Sequence, residues 1–191
     1  MAGLPGSGKS TLAARLEAEV NARSGPNTMA ALSMDGFHLS KAELSAMPDP
    51  VEAFARRGAP WTFRPDALIG RLQAVREGAG RADVGWPSFI HEVGDPLENA
   101  VTVCAATRLV LVEGIYLLHR ADGWEGVGAL FDERWYLDTP LDIAIERLTG
   151  RHMAAWGMTR EEAAARIASN DRLNAEIVPT SRDLADWRVV W

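Results

Sequence analysis

The sequence has little cysteine, little histidine and no long apolar run, and each shortage excludes a class of protein. Cys104 is the single cysteine among 191 residues, so neither an internal disulfide nor a multi-cysteine metal site can form. Four scattered histidines do not have the spacing of zinc ligands. No apolar run is long enough to cross a membrane, and the first residues lack the pattern of a signal segment. We therefore expect a cytoplasmic protein with no membrane partner.

Basic charge is also scarce. The formal net charge is −6, whereas a general nucleic-acid-binding surface would be basic. The length and the 47% content of hydrophobic residues suit one domain with a sizeable core, spanning residues 1–191. The composition therefore predicts a single globular domain with a small-molecule ligand and no nucleic-acid partner.

A glycine-rich phosphate-binding motif lies at the start of the sequence. The motif consists of Gly3, Leu4, Pro5, Gly6, Ser7, Gly8, Lys9 and Ser10. Its spacing fits a P-loop, and Thr11 opens a segment with the apolar periodicity of a helix. We expect these residues to bind ATP, with Lys9 reaching the β and γ phosphates and the Ser10 hydroxyl holding Mg²⁺. The alternative is a glycine-rich turn that happens to precede a helix.

A P-loop follows a buried β-strand, but only Met1 and Ala2 precede Gly3 in this sequence. Without a first strand, the neighbouring strands of a doubly wound sheet would have unpaired backbone groups. We therefore expect the first strand to be missing, and Met1 to be an internal position of a longer natural chain.

The rest of the sequence alternates between strand and helix patterns. Residues 109–113 are the clearest strand, and their four consecutive apolar residues predict burial on both faces. Further strands are expected at residues 29–34, 83–90, 98–103, 133–138 and 185–191, the second and third of these as an antiparallel pair. Helices are expected at residues 11–20, 51–57, 66–77, 141–150 and 159–177. This order predicts an α/β three-layer sandwich with a mainly parallel sheet.

Two acidic residues follow predicted strands, and both are candidates for chemistry. Asp35 follows the strand at residues 29–34 and could accept the proton of a substrate hydroxyl, although Asp before Gly is also a common turn. Glu113 ends its strand and could organise Mg²⁺, or could be a cap or a solvated carboxylate. Arg147 and Arg151 are spaced i and i+4, so a lid could bring both over the phosphates. A solvated helix face is the alternative for these arginines.

The ordered motifs resemble the phosphoribulokinase and uridine kinase family over essentially the whole chain. They are the P-loop, residues 34–38 (MDGFH), 86–89 (WPSF), 111–114 (LVEG) and the region 147–174. The resemblance implies that Asp35 is the catalytic base, Glu113 the metal-linked acid and Arg151 a lid arginine. It also places Asn174 and Arg182 near the nucleotide base, and a lid at about residues 147–175.

The acceptor pocket is expected in an insertion at about residues 40–105. The predicted substrate residues are Asp35, His38, Arg57, Phe89 and His91. Ile90 stands where this family branch commonly has Asp, and an apolar side chain cannot hydrogen-bond a polyol. The acceptor could be a nucleoside, a sugar or a pantothenate-like alcohol.

These observations predict an ATP- and Mg²⁺-dependent kinase that phosphorylates a hydroxyl of a small metabolite. The rival interpretation is a nucleotide-binding regulator or NTPase that has no acceptor of its own. A third is a degenerate product without activity. A homodimer is compatible with the sequence.

Overall fold

The computed structural model describes residues 1–90 and 93–190, so the predicted substrate residue His91 lies outside the described residues. The strands are β1 (Ala2–Gly3), β2 (Met29–Ser33), β3 (Val84–Ile90), β4 (Asp95–Val103), β5 (Leu109–Glu113), β6 (Trp135–Leu137) and β7 (Trp187–Val189). The helices are α1 (Lys9–Ser24), α2 (Lys41–Ser45), α3 (Pro50–Ala55), α4 (Pro65–Gly78), α5 (Leu141–Trp156), α6 (Arg160–Arg166) and α7 (Arg172–Ile177). None of the helices in the described ranges is long and apolar enough to span a membrane.

Five parallel strands form two sheets, β2–β5 and β1–β6–β7, which lie edge to edge in the order β2, β5, β1, β6, β7. β2 pairs with β5, and β6 pairs with both β1 and β7, all in parallel. Met1 joins the two parts, because its amine donates to the Val112 carbonyl (2.6 Å) and its carbonyl accepts from the Gly114 N–H (3.2 Å). The order reverses beside β1, so the carboxyl ends of β1, β2 and β5 meet at one edge, where α/β proteins bind ligands.

Alternate residues of the strands pack on opposite faces of the sheet. Ala30, Leu32, Val112 and Tyr136 belong to one core, which also contains Leu68 and Leu72 of α4 and the buried Trp86 and Trp124. Leu137 belongs to a second core with Leu12 and Ala13 of α1, against which Ala31, Leu111 and Trp135 pack. The period of two therefore divides the sheet between two helical layers. This confirms the predicted α/β three-layer sandwich.

The insertion contains the antiparallel hairpin β3–β4, as predicted, although β4 begins at Asp95 rather than at residue 98. The hairpin packs on the 3₁₀ turn Met34–Phe37, which carries Asp35. A Cβ added to Gly36 would lie 2.2 Å from the Pro87 carbonyl oxygen, so only glycine allows this approach. The hairpin thus fixes the position of the turn.

The C-terminal helices differ from the predicted pattern in two places. α5 continues to Trp156, past the predicted end at residue 150, and ends where Gly157 adopts a left-handed conformation with φ 64°. The predicted helix at residues 159–177 starts with a capping box, in which Thr159 and Glu162 bond reciprocally. It is then interrupted by a π-helical segment, Ile167–Asp171, that separates α6 from α7.

The first strand is short rather than missing, and a groove lies beside it. Its cavity of about 640 Å³ separates β5 from Trp135. Leu109 is 53% and Val110 38% exposed, so the predicted burial of β5 on both faces is wrong for its first half. Met1 lies opposite Glu113 through the two backbone bonds given above, at the carboxyl end of β5. The apolar residues of β5 consequently meet solvent.

This groove predicts a strong effect of residues added to the Met1 nitrogen. Four apolar, β-branched residues would continue the register along Leu109–Val112 and bury Leu109 and Val110. We expect the free energy of unfolding to rise by about 3 kcal/mol, because apolar burial exceeds the cost of ordering the extension. Chemical denaturation followed by circular dichroism measures the change. An equally long Gly-Ser extension is the control, and equal stability of the two extended chains would contradict the prediction.

The two extended chains also measure how the charge of the Met1 amine contributes to the free energy of unfolding. Burial lowers the pKa of the Met1 amine from 8.0 to about 5. Between these values the unfolded chain binds a proton that the folded chain does not, so the free energy of unfolding should rise with pH from 5 to 8, by up to about 4 kcal/mol. Both extensions replace the amine with an amide, so both should abolish this slope. The reference chain must retain Met1, which mass spectrometry verifies.

Candidate active site

The P-loop folds as a phosphate cradle between β1 and α1. Gly6 and Gly8 adopt left-handed backbone conformations, with φ 76° and 95°. A Cβ on Gly6 would lie 2.3 Å from the carbonyl oxygen of Ala144, so the loop needs glycine to pack against α5. The Ser7 carbonyl accepts hydrogen bonds from Thr139 Oγ1 and Arg147 Nη1, each 3.1 Å long. The loop is therefore held from the outside by the end of β6 and by α5.

Three features of this cradle fit a phosphate chain. The buried Lys9 ammonium donates to the Leu4 carbonyl (2.8 Å) across the loop. Desolvation lowers the pKa of Lys9, while Glu113 and Asp35 oppose this shift and Arg151 adds to it. The Ser7 hydroxyl is fully buried and, within residues 1–90 and 93–190, has no hydrogen-bond partner. The α1 N-terminus, the ammonium and this unpartnered hydroxyl together match the donor set that phosphate requires.

Glu113 lies next to the cradle at the end of β5. Its carboxylate accepts a hydrogen bond from Ser10 Oγ (2.9 Å), and only 6% of the residue is exposed. Burial raises the pKa of Glu113; the charge of Lys9 opposes this, Asp35 adds to it, and hydrogen bonds from Ser10 and Ser33 oppose it. Ser10 and Glu113, which were both predicted to hold Mg²⁺, are therefore in direct contact.

The donor set at this point fits Mg²⁺ bound through a nucleotide. Over the described ranges, no group of three or more His, Cys, Asp or Glu side chains could hold a metal alone. Mg²⁺ prefers one or two protein oxygens and completes its shell with substrate phosphates and water. Ser10 and Glu113 are such a pair, and they adjoin the phosphate cradle.

Asp35 faces the same cluster from β2. The Ser33 hydroxyl accepts a hydrogen bond from the Asp35 N–H (3.2 Å) and caps the turn that carries Asp35. Lys9 interacts electrostatically with Glu113, Asp35 and Arg151. Four of the residues predicted for chemistry are therefore brought into one electrostatic cluster at the carboxyl edge of the sheet.

Three residues of α5 lie in two different environments. Arg147 and Arg151 lie on one exposed face of α5, as predicted, and Arg147 contacts the P-loop. His152, which follows Arg151, is 2% exposed, bonded to Asp171 (3.0 Å) and stacked on Trp156 at 4.6 Å. It therefore packs between the end of α5 and the π-helical segment, and does not join the arginines.

Asn174 and Arg182, both predicted at the nucleotide base, contact different parts of the protein. Arg182 forms an ion pair with Asp138, directly after β6. Asn174 is 3% exposed and accepts from Arg56 Nη2 (3.5 Å) of the insertion. The structure thus joins Asn174 to the acceptor-side insertion, while Arg182 lies beside the strand that borders the P-loop. A nucleotide contact of either residue stays a prediction.

The described residues that were predicted for the acceptor pocket form an aromatic wall beside Asp35. The His38 ring lies 4.0 Å from Phe63 and 4.6 Å from Phe89, and its Nδ1 is 2.8 Å from the Asp35 carbonyl oxygen. The Arg57 guanidinium lies 5.2 Å from the Phe89 ring centroid. It also donates to the carbonyls of Gly94 (2.6 Å) and Leu39 (2.8 Å). Arg57 therefore clamps the hairpin turn to the loop after Asp35.

Sequence reasoning missed Ser33 and Trp86. The Trp86 indole is 1% exposed and donates to the Ser33 carbonyl (2.9 Å) from the hairpin. Trp86 belongs to the motif at residues 86–89, and a serine two residues before Asp is a recognisable capping signal. The pairing of Ser33 with Glu113 has no sequence signal, because it depends on the register of β2 with β5.

Comparison with known proteins gives relatives over most of the chain. No family model matches it. An ATP-dependent kinase-like protein of Aspergillus versicolor is 39% identical over 153 residues, which are 78% of this chain and 88% of that protein. A candidate uridine kinase of Schizosaccharomyces pombe is 37% identical over 180 residues, 93% of this chain and 76% of that protein.

A solved structure extends this similarity to the fold. It is a candidate fructose transport system kinase from a Silicibacter species, with a TM-score of 0.86 and 32% sequence identity. The match covers 98% of this chain and 86% of that one. This relative is therefore similar to the chain in both its sequence and its fold.

Proposed function

Because the chain belongs to the phosphoribulokinase and uridine kinase family of P-loop kinases, we propose that it transfers the γ-phosphoryl group of ATP to a hydroxyl of a small metabolite. One observation carries the proposal: the P-loop hydroxyl of Ser10 donates to Glu113 (2.9 Å), and the turn that carries Asp35 follows the strand end paired with Glu113. A phosphoryl transferase needs a phosphate cradle, a metal-holding acid and a group that accepts the proton of the attacking hydroxyl. The cluster contains one residue suited to each task.

The residues have separate roles in this proposal. Lys9 and the P-loop amides bind and neutralise the phosphates, and Arg151 supports the transferring group. Ser10 and Glu113 would hold Mg²⁺, which neutralises charge on the phosphate oxygens when it is bound. Arg147, which contacts the Ser7 carbonyl, keeps the loop in place from the lid side.

Asp35 has the role of general base. As the acceptor oxygen forms its bond to the γ-phosphorus, the bond from that phosphorus to the bridging β–γ oxygen breaks, and ADP leaves with the electron pair. The proton of the acceptor hydroxyl passes to the Asp35 carboxylate. Because the wall of His38 and Phe89 adjoins Asp35, the acceptor would lie against these rings, with its hydroxyl toward Asp35.

A panel of acceptors tests the proposal. ADP release from ATP and Mg²⁺ is measured with nucleosides, sugars and pantothenate-like alcohols. One acceptor class is expected to stimulate release at least tenfold over the rate without acceptor. A chain that binds ATP but releases ADP at the same rate with every acceptor would support a nucleotide-binding regulator or NTPase and contradict the proposal.

A further inference from the structure

The side-chain amide of Asn170 joins the π-helical segment to the insertion. Its Oδ1 accepts from Arg56 Nη1 (2.9 Å), and its Nδ2 donates to the Arg57 carbonyl (2.8 Å). A guanidinium only donates and a carbonyl only accepts, so a single orientation of the amide satisfies both bonds. Both ends of one side chain are thus bonded to two consecutive residues that are far away in sequence.

Residues 56–58 receive two further bonds from distant parts of the chain. Asn174 Oδ1 accepts from Arg56 Nη2 (3.5 Å), and the Tyr116 hydroxyl donates to the Gly58 carbonyl (2.8 Å). Both Asn174 and Tyr116 are buried. Because residues 56–58 connect α3 to the 3₁₀ turn that follows it, their position depends on side chains from outside the insertion.

The side chain of Arg57 extends this connection to the aromatic wall. Its guanidinium lies 5.2 Å from the Phe89 ring centroid, in addition to the two bonds to backbone carbonyls described above. The Phe89 ring contacts His38, whose Nδ1 is 2.8 Å from the Asp35 carbonyl oxygen. One continuous set of contacts therefore links Asn170 to the turn that carries Asp35.

The next residue along the chain, Asp171, contacts a different element. Its carboxylate is bonded to His152 of α5 (3.0 Å), the helix from which Arg147 contacts the P-loop. π-Helical segments occur frequently at functional sites, and this one bonds the insertion through Asn170 and α5 through Asp171. A change at Asn170 should therefore affect the acceptor side of the site and leave the phosphate side intact.

We propose that Asn170 is a positioning residue for the acceptor: it fixes residues 56–58 and, through Arg57, holds the aromatic wall against which the acceptor lies. The proposal rests on the proposed function for the location of the acceptor. Its role is indirect, since its partners are the side chain of Arg56 and the backbone of Arg57.

Substitution of Asn170 by alanine removes both bonds. One hydrogen bond is worth up to about tenfold in an equilibrium constant, so we expect the acceptor Kd to rise about tenfold in Asn170→Ala. The Kd is measured by calorimetry with ADP and Mg²⁺ present, using the nucleosides, sugars and pantothenate-like alcohols of the panel as probes. The acceptor KM should rise by a similar factor while kcat and the KM for ATP stay within about threefold, because the wall binds the ground state and the transition state alike. Amide hydrogen exchange at residues 57–59 should accelerate, since the segment loses part of its support.

Asn21 provides a matched control, because its amide makes the same two kinds of bond. Its Oδ1 accepts from the Met29 N–H (2.9 Å), and its Nδ2 donates to the Met29 carbonyl (3.0 Å). Met29 begins β2, at the end of the strand opposite to Asp35. Asn21→Ala should therefore lower the thermal midpoint as Asn170→Ala does, but leave the acceptor Kd within twofold of the parent chain.

A second variant, Asn170→Asp, separates the two bonds of the amide. The carboxylate still accepts from Arg56, but it places an oxygen against the Arg57 carbonyl, which then lacks a donor. Because the proposed connection runs through Arg57, the acceptor Kd should rise as it does in Asn170→Ala. A Kd equal to that of the parent chain in Asn170→Asp would show that Arg57 does not transmit the effect, and would overturn the proposal.

Binding and turnover are measured separately, so the two proposals can fail independently. If Asn170→Ala weakens the binding of a panel member that is not phosphorylated, the role of Asn170 holds and the kinase assignment fails. If a member is phosphorylated but its Kd in Asn170→Ala stays within twofold of the parent chain, the kinase assignment holds and the role of Asn170 fails, whether or not exchange at residues 57–59 accelerates. A parent chain that binds no member of the panel contradicts both.

Discussion

Substitution of Asp35 by asparagine is expected to lower the kcat of acceptor phosphorylation by about 10²- to 10⁴-fold, the contribution typical of a general base. The amide has nearly the shape of the carboxylate but cannot take the proton of the acceptor hydroxyl. The Asp35 N–H remains bonded to Ser33, so the turn should keep its position. ATP binding should be nearly unchanged, because the cradle is built from the P-loop and Lys9. Steady-state kinetics and nucleotide titration measure the two effects separately.

Asp66→Asn is the matched control for this prediction. Asp66 is exposed in the first turn of α4, and its substitution removes the same charge from a residue outside the predicted site. Its kcat should stay within twofold of the parent chain. A kcat for Asp35→Asn within tenfold of the parent, or an equal loss in the control, would show that Asp35 is not the base.

Substitution of Lys9 by methionine should lower kcat/KM for ATP by at least about 10³-fold. Methionine has a similar length but no charge, so the transferring phosphates lose their buried cation; removal of one preorganised donor alone costs about 10²- to 10³-fold. The Leu4 carbonyl also loses its donor, and Glu113 loses the charge that opposes the rise of its pKa. ATP affinity measured by calorimetry should fall together with turnover, which distinguishes Lys9 from Asp35.

The sequence contains a close control for the charge change. Lys41 is the other lysine of the chain, and its ammonium donates to the Val93 carbonyl at the hairpin. Lys41→Met should retain ATP affinity. If Lys9→Met bound ATP as tightly as Lys41→Met does, the phosphate-binding role of Lys9 would be refuted.

The predictable parts of the fold are those set by short local patterns. The bounds of β5 followed from one apolar run, and the start of α6 followed from its capping box. The exposure of Leu109 and Val110 did not follow, because burial depends on which strand lies alongside. The π-helical segment at Ile167–Asp171 was also not predictable, since the periodicity of its sequence does not differ from that of the flanking helices.

In the candidate site, too, local patterns predicted some features and packing between distant segments determined the others. A strand end before Asp35 and another at Glu113 predicted that both lie on one edge of the sheet, and Lys9 interacts with both. The pairing of Ser33 with Glu113 required the register of two strands that are far apart in sequence. The contact of His38 with Phe89 required the packing of the hairpin on the turn. The contacts of His152 with Asp171 and Trp156 depended on how α5 packs against the π-helical segment.

Phosphorus NMR of a reaction with the stimulating acceptor tests phosphoryl transfer most directly. The resonances of ATP, ADP, inorganic phosphate and phosphomonoester are followed together, in the parent chain and in Asp35→Asn. One phosphomonoester is expected for each ADP formed, with both signals lost together in Asp35→Asn. Formation of ADP with an equal amount of inorganic phosphate and no phosphomonoester would contradict the assignment as a kinase with an alcohol acceptor.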